Sequence, residues 1–96
     1  MSVVVVPAWR RPRLLRDTCR HLSEAIGADL CRFLFVVDRN PHRMIRYVLD
    51  QFPLPHQTVW RPPHLYQGNS WNVLDGLARA LAMAGPGERI YLVEED

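Results

Sequence analysis

Three consecutive carboxylates, Glu94, Glu95 and Asp96, stand at the end of this 96-residue chain. They follow Ile90-Tyr91-Leu92-Val93, an apolar run that reads as a strand buried on both faces. Adjacent carboxylates repel one another and resist desolvation, so such a cluster either binds a cation or stands in solvent. Oxygen ligands of this kind select a hard divalent cation, manganese or magnesium. Three other groups carry side chains suited to binding: Trp9, Arg10 and Arg11; Asp38, Arg39 and Asn40; and the stretch from Arg61 to Asn72. Like the carboxylates, each follows an apolar run.

The elements that would position these groups alternate between strand and helix. Val3 to Val6 is a β-branched run with no polar face, the mark of a central strand. Pro7 to Pro12 is a loop, with Pro12 suited to the first turn of a helix. Leu14, Leu15, Cys19, Leu22, Ala25 and Ile26 recur at helical spacing, and Gly27 is the expected stop. Phe33 to Val37 is a second buried strand. Asn40-Pro41 reads as a helix start, Met44, Ile45, Val48, Leu49 and Phe52 as its apolar stripe, and Pro53 and Pro55 as its end. Thr58 to Trp60 is a short third strand, followed by a loop from Arg61 to Gly68. Asn69 or Ser70 can cap a third helix, whose apolar face would be Trp71, Leu74, Leu77, Ala78 and Leu81. Gly85-Pro86-Gly87 stops it, and Ile90 to Val93 is the fourth strand. This β-α-β-α-β-α-β pattern predicts an α/β fold: a parallel, Rossmann-like four-stranded sheet in order 3-2-1-4 with three helices.

Composition narrows the function classes. At 48% hydrophobic the chain is globular. No apolar run approaches the roughly 20 residues of a membrane span, and no signal peptide is recognisable, so a cytoplasmic protein is expected. Cys19 and Cys31 have no metal-ligand spacing; Cys19 is expected buried in its helix and Cys31 at the start of a strand. His21, His42, His56 and His64 are scattered and expected at the surface. All twelve basic residues are arginine, but they are spread along the chain and the net charge is only +2. That distribution argues against nucleic acid as a partner. Neither a dinucleotide fingerprint nor a P-loop is present.

In order, the motifs resemble the nucleotide-binding half of GT-A fold glycosyltransferases, family 2-like in the first strands and N-acetylglucosaminyltransferase I-like in the acidic motif. Val3 to Val6 with Pro7-Ala8-Trp9-Arg10-Arg11-Pro12 looks like that family's opening strand and loop. Val36-Val37-Asp38 looks like its second strand, and Tyr91 to Asp96 like its acidic metal motif, in the form Glu-x-Asp. The resemblance implies metal-dependent binding of a UDP- or GDP-linked sugar by residues 1–96. Asp38 would accept the imide N–H of a base, and Arg10 or Arg11 would reach base or phosphate, unless they are a solvated helix start. Pro7, Ala8 and Trp9 would line the nucleotide. Gln67, Gly68, Asn69 and Asn72, with Asp75 beyond them, would face the donor, Gly68 allowing close backbone approach. Asp96 would ligate the metal directly, and Glu94 would hold water or ribose.

By the same resemblance, acceptor binding and the catalytic base come after the acidic motif. The chain is therefore expected to be the donor half of a longer enzyme, inactive in transfer by itself. Strand 4 would be an open apolar edge, expected to self-associate or meet a partner. A rival reading is a non-catalytic interaction or structural protein that reuses the half-fold.

Overall fold

The computed structural model describes residues 2–9, 11–38, 43–62 and 68–94. Its elements are β1 (Ser2–Ala8), α1 (Pro12–Glu24), β2 (Cys31–Asp38), α2 (Arg43–Asp50), β3 (His56–Arg61), α3 (Asn69–Met83) and β4 (Arg89–Leu92). A short 3-10 turn, Ala28–Leu30, leads into β2. The four strands form one parallel sheet in the order β3-β2-β1-β4, as the alternation of strands and helices predicts. The register pairs Ala8 with Val37 and Asp38 with Arg61, so β1, β2 and β3 all end at one edge.

Side chains alternate across the sheet and divide the core in two. Val4, Val6, Ala8, Phe33, Phe35 and Val37 face α1 and α2, packing on Leu15, Cys19, Ile45, Val48 and Leu49. Phe52 stands edge-on to Phe33 and Phe35, with ring centroids 5.0 and 5.1 Å away. His56 completes this cluster at 5.5 Å from Phe35, and its Nδ1 lies 2.8 Å from the Leu54 carbonyl oxygen. The expectation that His56 is a surface residue is thus corrected: β3 begins at His56, before Thr58, and carries the ring onto the aromatic cluster. His21 is exposed; His42 and His64 lie outside the described residues.

The opposite face is covered by α3. Its buried residues are Asn72, Gly76 and Ala80, set against Val3, Val5, Leu34 and Val36. This corrects the apolar face expected for this helix. Trp71, Leu74 and Leu81 are exposed by 42, 58 and 70%, and Ala78 is also exposed. The reason is distance of approach. A Cβ on Gly76 would meet Val5 Cγ1 at 2.6 Å and Val36 Cγ2 at 3.0 Å, so only glycine lets the helix sit this low on the sheet. The helix start is also corrected: Gly68, not Asn69 or Ser70, is the N-cap. At φ 120° it holds a backbone conformation open essentially to glycine alone.

Two further expectations are corrected: α1 ends at Glu24, so Ala25 and Ile26 lie beyond it and are exposed, and β4, expected to be buried on both faces, has Tyr91 and Leu92 exposed. Pro12 opens α1, and Gly27, at φ 83°, makes the turn that follows it. Cys19 is buried in α1, Cys31 begins β2, and neither is in a disulfide. Among the described residues no helix is long and apolar enough to cross a membrane.

Candidate functional site

Three of the residues singled out from the sequence meet at the carboxyl edge of the sheet. Asp38 ends β2, Ala8 ends β1, and Asn72 lies one turn into α3. All three are buried, Asp38 to 1% exposure and Asn72 to 0%. Asn72 joins them: its Nδ2 donates to the Ala8 carbonyl oxygen at 3.0 Å. Its Oδ1 accepts from Arg61 Nη1 at 3.1 Å. Arg61 is the hub of the network and only 5% exposed. Its Nη1 stands 3.5 Å from Asp38 Oδ1, and its Nε stands 3.4 Å from Asp75 Oδ2. Arg79, one turn further along α3, donates from Nε to Asp75 Oδ1 at 2.9 Å.

Arg61 was expected in a loop; it is instead the last residue of β3. Two arginines face two carboxylates here, so the network is close to electrically neutral. A buried guanidinium is tolerable only with such partners, because an unpaired buried charge is prohibitively costly. The planar fork of arginine suits several acceptors at once, which lysine could not satisfy in the same geometry. The signal was present in the sequence. An Asp and an Arg that end neighbouring parallel strands at one level are brought side by side, and a low-dielectric sheet edge forces them to pair.

The other candidates are placed as follows. Pro7 is buried at the end of β1, and Trp9 follows it half-buried. Arg11 is exposed at the start of α1. Gly68 and Asn69 open α3 half-buried, and the buried Oδ1 of Asn69 has no hydrogen-bond partner among the described residues. Arg10, Arg39, Asn40, Gln67, Glu95 and Asp96 lie outside the described residues.

Glu94 is exposed just beyond β4. Val93 still pairs with β1, its N–H donating to the Val5 carbonyl oxygen at 2.9 Å. That pairing brings Glu94 alongside β1, at the point where the strand order reverses between β1 and β4. In open α/β sheets this crevice, outside the carboxyl ends of the strands, is where ligands bind. As a hard oxygen donor Glu94 suits magnesium or manganese. Among the described residues, however, no three His, Cys, Asp or Glu side chains gather as a metal site.

No protein-family model matches the chain, and no curated protein matches it significantly.

Proposed function

We propose that residues 1–96 bind a nucleotide sugar, UDP- or GDP-linked, with a divalent cation, as the donor half of a GT-A-like glycosyltransferase. The observation that carries this reading is the convergence of Ala8, Asp38 and Asn72 at the carboxyl edge of a doubly wound sheet. The order β3-β2-β1-β4 supports it by putting the reversal point between Trp9 and Glu94. Asp38 Oδ1 stands 3.5 Å from Arg61 Nη1, and a carboxylate oxygen at this edge would be the acceptor for an N–H of a base. The cation would be held from the acidic end, with Glu94 and Asp96 supplying oxygen ligands and offsetting the charge of a diphosphate.

Calorimetry with UDP and with GDP, each with and without manganese, tests the reading. A metal-dependent heat with either nucleotide is expected. Its absence at millimolar ligand would dismiss it. Asp38→Asn keeps the shape of the site and removes the anionic acceptor, so it should weaken that binding by about 1–3 kcal/mol, the worth of a charge-assisted hydrogen bond.

A second reading, a non-catalytic interaction protein, is favoured by the outward face of α3. Trp71, Leu74 and Leu81 stand exposed on that face, and a patch of large apolar side chains in water marks a surface that a partner can cover. Tyr91 and Leu92 leave β4 exposed on both faces of the sheet as well. A second copy, or another protein, would cover β4 and the flank beside α3. Light scattering at tens of micromolar decides this, and a clean monomer would count against it.

A further inference from the structure

A groove of about 470 Å³ runs between α1 and α2, on the side of the molecule away from α3. Its floor is apolar and buried, formed by Cys19, Val48 and Phe52. Met44 and Tyr47 stand exposed along one side. Arg13, Arg16 and Arg20 stand along the other, at the i, i+3 and i+7 positions of α1 that share one side of the helix. Among the described residues no carboxylate lines the groove. Arg20 has Asp17 at 4.0 Å, whereas Arg13 and Arg16 make no ion pair among the described residues.

An apolar trough edged by unneutralised arginines is complementary to one chemistry: an apolar tail carrying an anionic head. We propose that this groove binds a small anionic amphiphile, an acyl chain ending in carboxylate or phosphate. The tail lies over Val48 and Phe52, and the head meets the guanidinium groups of Arg13 and Arg16. Three features favour a small ligand over an acidic helix of another protein. The volume falls within the roughly 300–1,000 Å³ typical of small-molecule sites. The floor is made of core residues, Cys19, Val48 and Phe52. And α2 spans eight of the described residues, about 12 Å, a length matched to an acyl chain of about a dozen carbons. The site is separate from the sheet edge that Asp38 and Arg61 occupy, and it does not rest on the nucleotide reading.

The test is calorimetry with dodecanoate, dodecyl phosphate, dodecanol and dodecyltrimethylammonium, each below its micellar concentration. The two anions should bind one-to-one, at least about tenfold tighter than the cation of equal tail length. Arg13→Glu/Arg16→Glu, two exposed changes on a helix surface, should erase that preference. Met44→Glu, which places a carboxylate in the groove from the other side, should weaken the anions independently. Phosphatidylglycerol vesicles show the source: co-sedimentation would place the ligand in a membrane, and binding of the monomeric anions alone would make it a free acid or phosphate. Equal binding of anion and cation, unchanged preference in both folded variants, or binding only of an acidic amphipathic peptide would overturn the proposal.

Discussion

The two faces of the sheet are built on opposite principles. Under α1 and α2 the core is made of large apolar side chains, with Phe33, Phe35 and Phe52 edge to face. Under α3 it is made of small and polar ones: Asn72, Gly76 and Ala80 lie on a flat valine and leucine surface, and Arg61, Asp38 and Asp75 close the edge. The first face is held by bulk, which tolerates imprecision. The second is held by close approach and by hydrogen-bond geometry, which do not. A helix lowered onto a sheet by glycine has little side-chain volume with which to adjust. Its position is fixed instead by the amide of Asn72 bonded to the end of β1 and by Arg61 reaching across from β3.

The sharpest way to break this contrast is to remove the hub. Arg61→Leu leaves Asp38 buried without its cation, and losing one partner of a buried ion pair costs about 3–5 kcal/mol. Phe35→Ala on the other face should cost a similar amount, about 3–5 kcal/mol, through an unfilled cavity. The two should separate in the double change. Asp38→Leu in the Arg61→Leu background removes the stranded charge and should recover much of the loss, whereas no second truncation refills the Phe35 cavity. Urea unfolding of the three variants measures this; no recovery would mean that the pair is not the source of the cost.

A smaller effect tests close approach. Alanine at Gly76 gains about 1 kcal/mol of helix propensity, yet its Cβ would sit 2.6 Å from Val5 Cγ1. Overpacking of this kind costs about 1–3 kcal/mol, so Gly76→Ala should destabilise on balance. With Val5→Ala in place the obstructing methyl is gone, and the same Gly76→Ala change should become neutral or favourable. If Gly76→Ala stabilises the chain with Val5 intact, α3 does not rest on the sheet as described.

The same contrast explains what was legible in the sequence. The element order, the all-parallel topology and most of the α1/α2 face follow from apolar periodicity: Leu15, Cys19, Ile45, Val48, Leu49 and Phe52 are buried as their spacing predicts, whereas Leu14, Ile26 and Met44 stand exposed. The α3 face does not, because periodicity points to Trp71, Leu74 and Leu81, and these stand outward. Gly76 and Asn72 carry no apolar signal, and their burial depends on a fit between helix and sheet that exists only after the strands have paired. At the candidate site, Asp38 and Asn72 were visible as strand-end and helix-start polar residues. Arg61 is legible only once β3 is extended by one residue beyond Trp60, which sets it in register opposite Asp38.

The smallest expected effect lies on the α3 face, at the amino end of the sheet. Arg32, near the start of β2, donates from Nη2 to the Met83 carbonyl oxygen at 3.0 Å, at the end of α3, and to Glu88 Oε1 at 2.7 Å. The Gly85 backbone N–H donates to the same carboxylate oxygen at 2.9 Å. That backbone donor first, and the Arg32 guanidinium second, hold the Glu88 carboxyl below its ordinary value of 4.5. A depressed carboxyl pKa means that the unfolded chain takes up the proton first. The contribution of Glu88 is therefore complete above the ordinary value and is lost as pH falls through the lower, folded one. Glu88→Gln removes the charge at every pH. Its melting temperature should lie below that of the parent near neutrality, and the gap should close as pH falls below 4.5. Because the carboxylate is near the surface, added salt should narrow the gap at neutral pH as well. A gap that stays constant through the acid range would mean that Glu88 acts by shape and neutral hydrogen bonding, and that its charge does not help Arg32 clamp the end of α3.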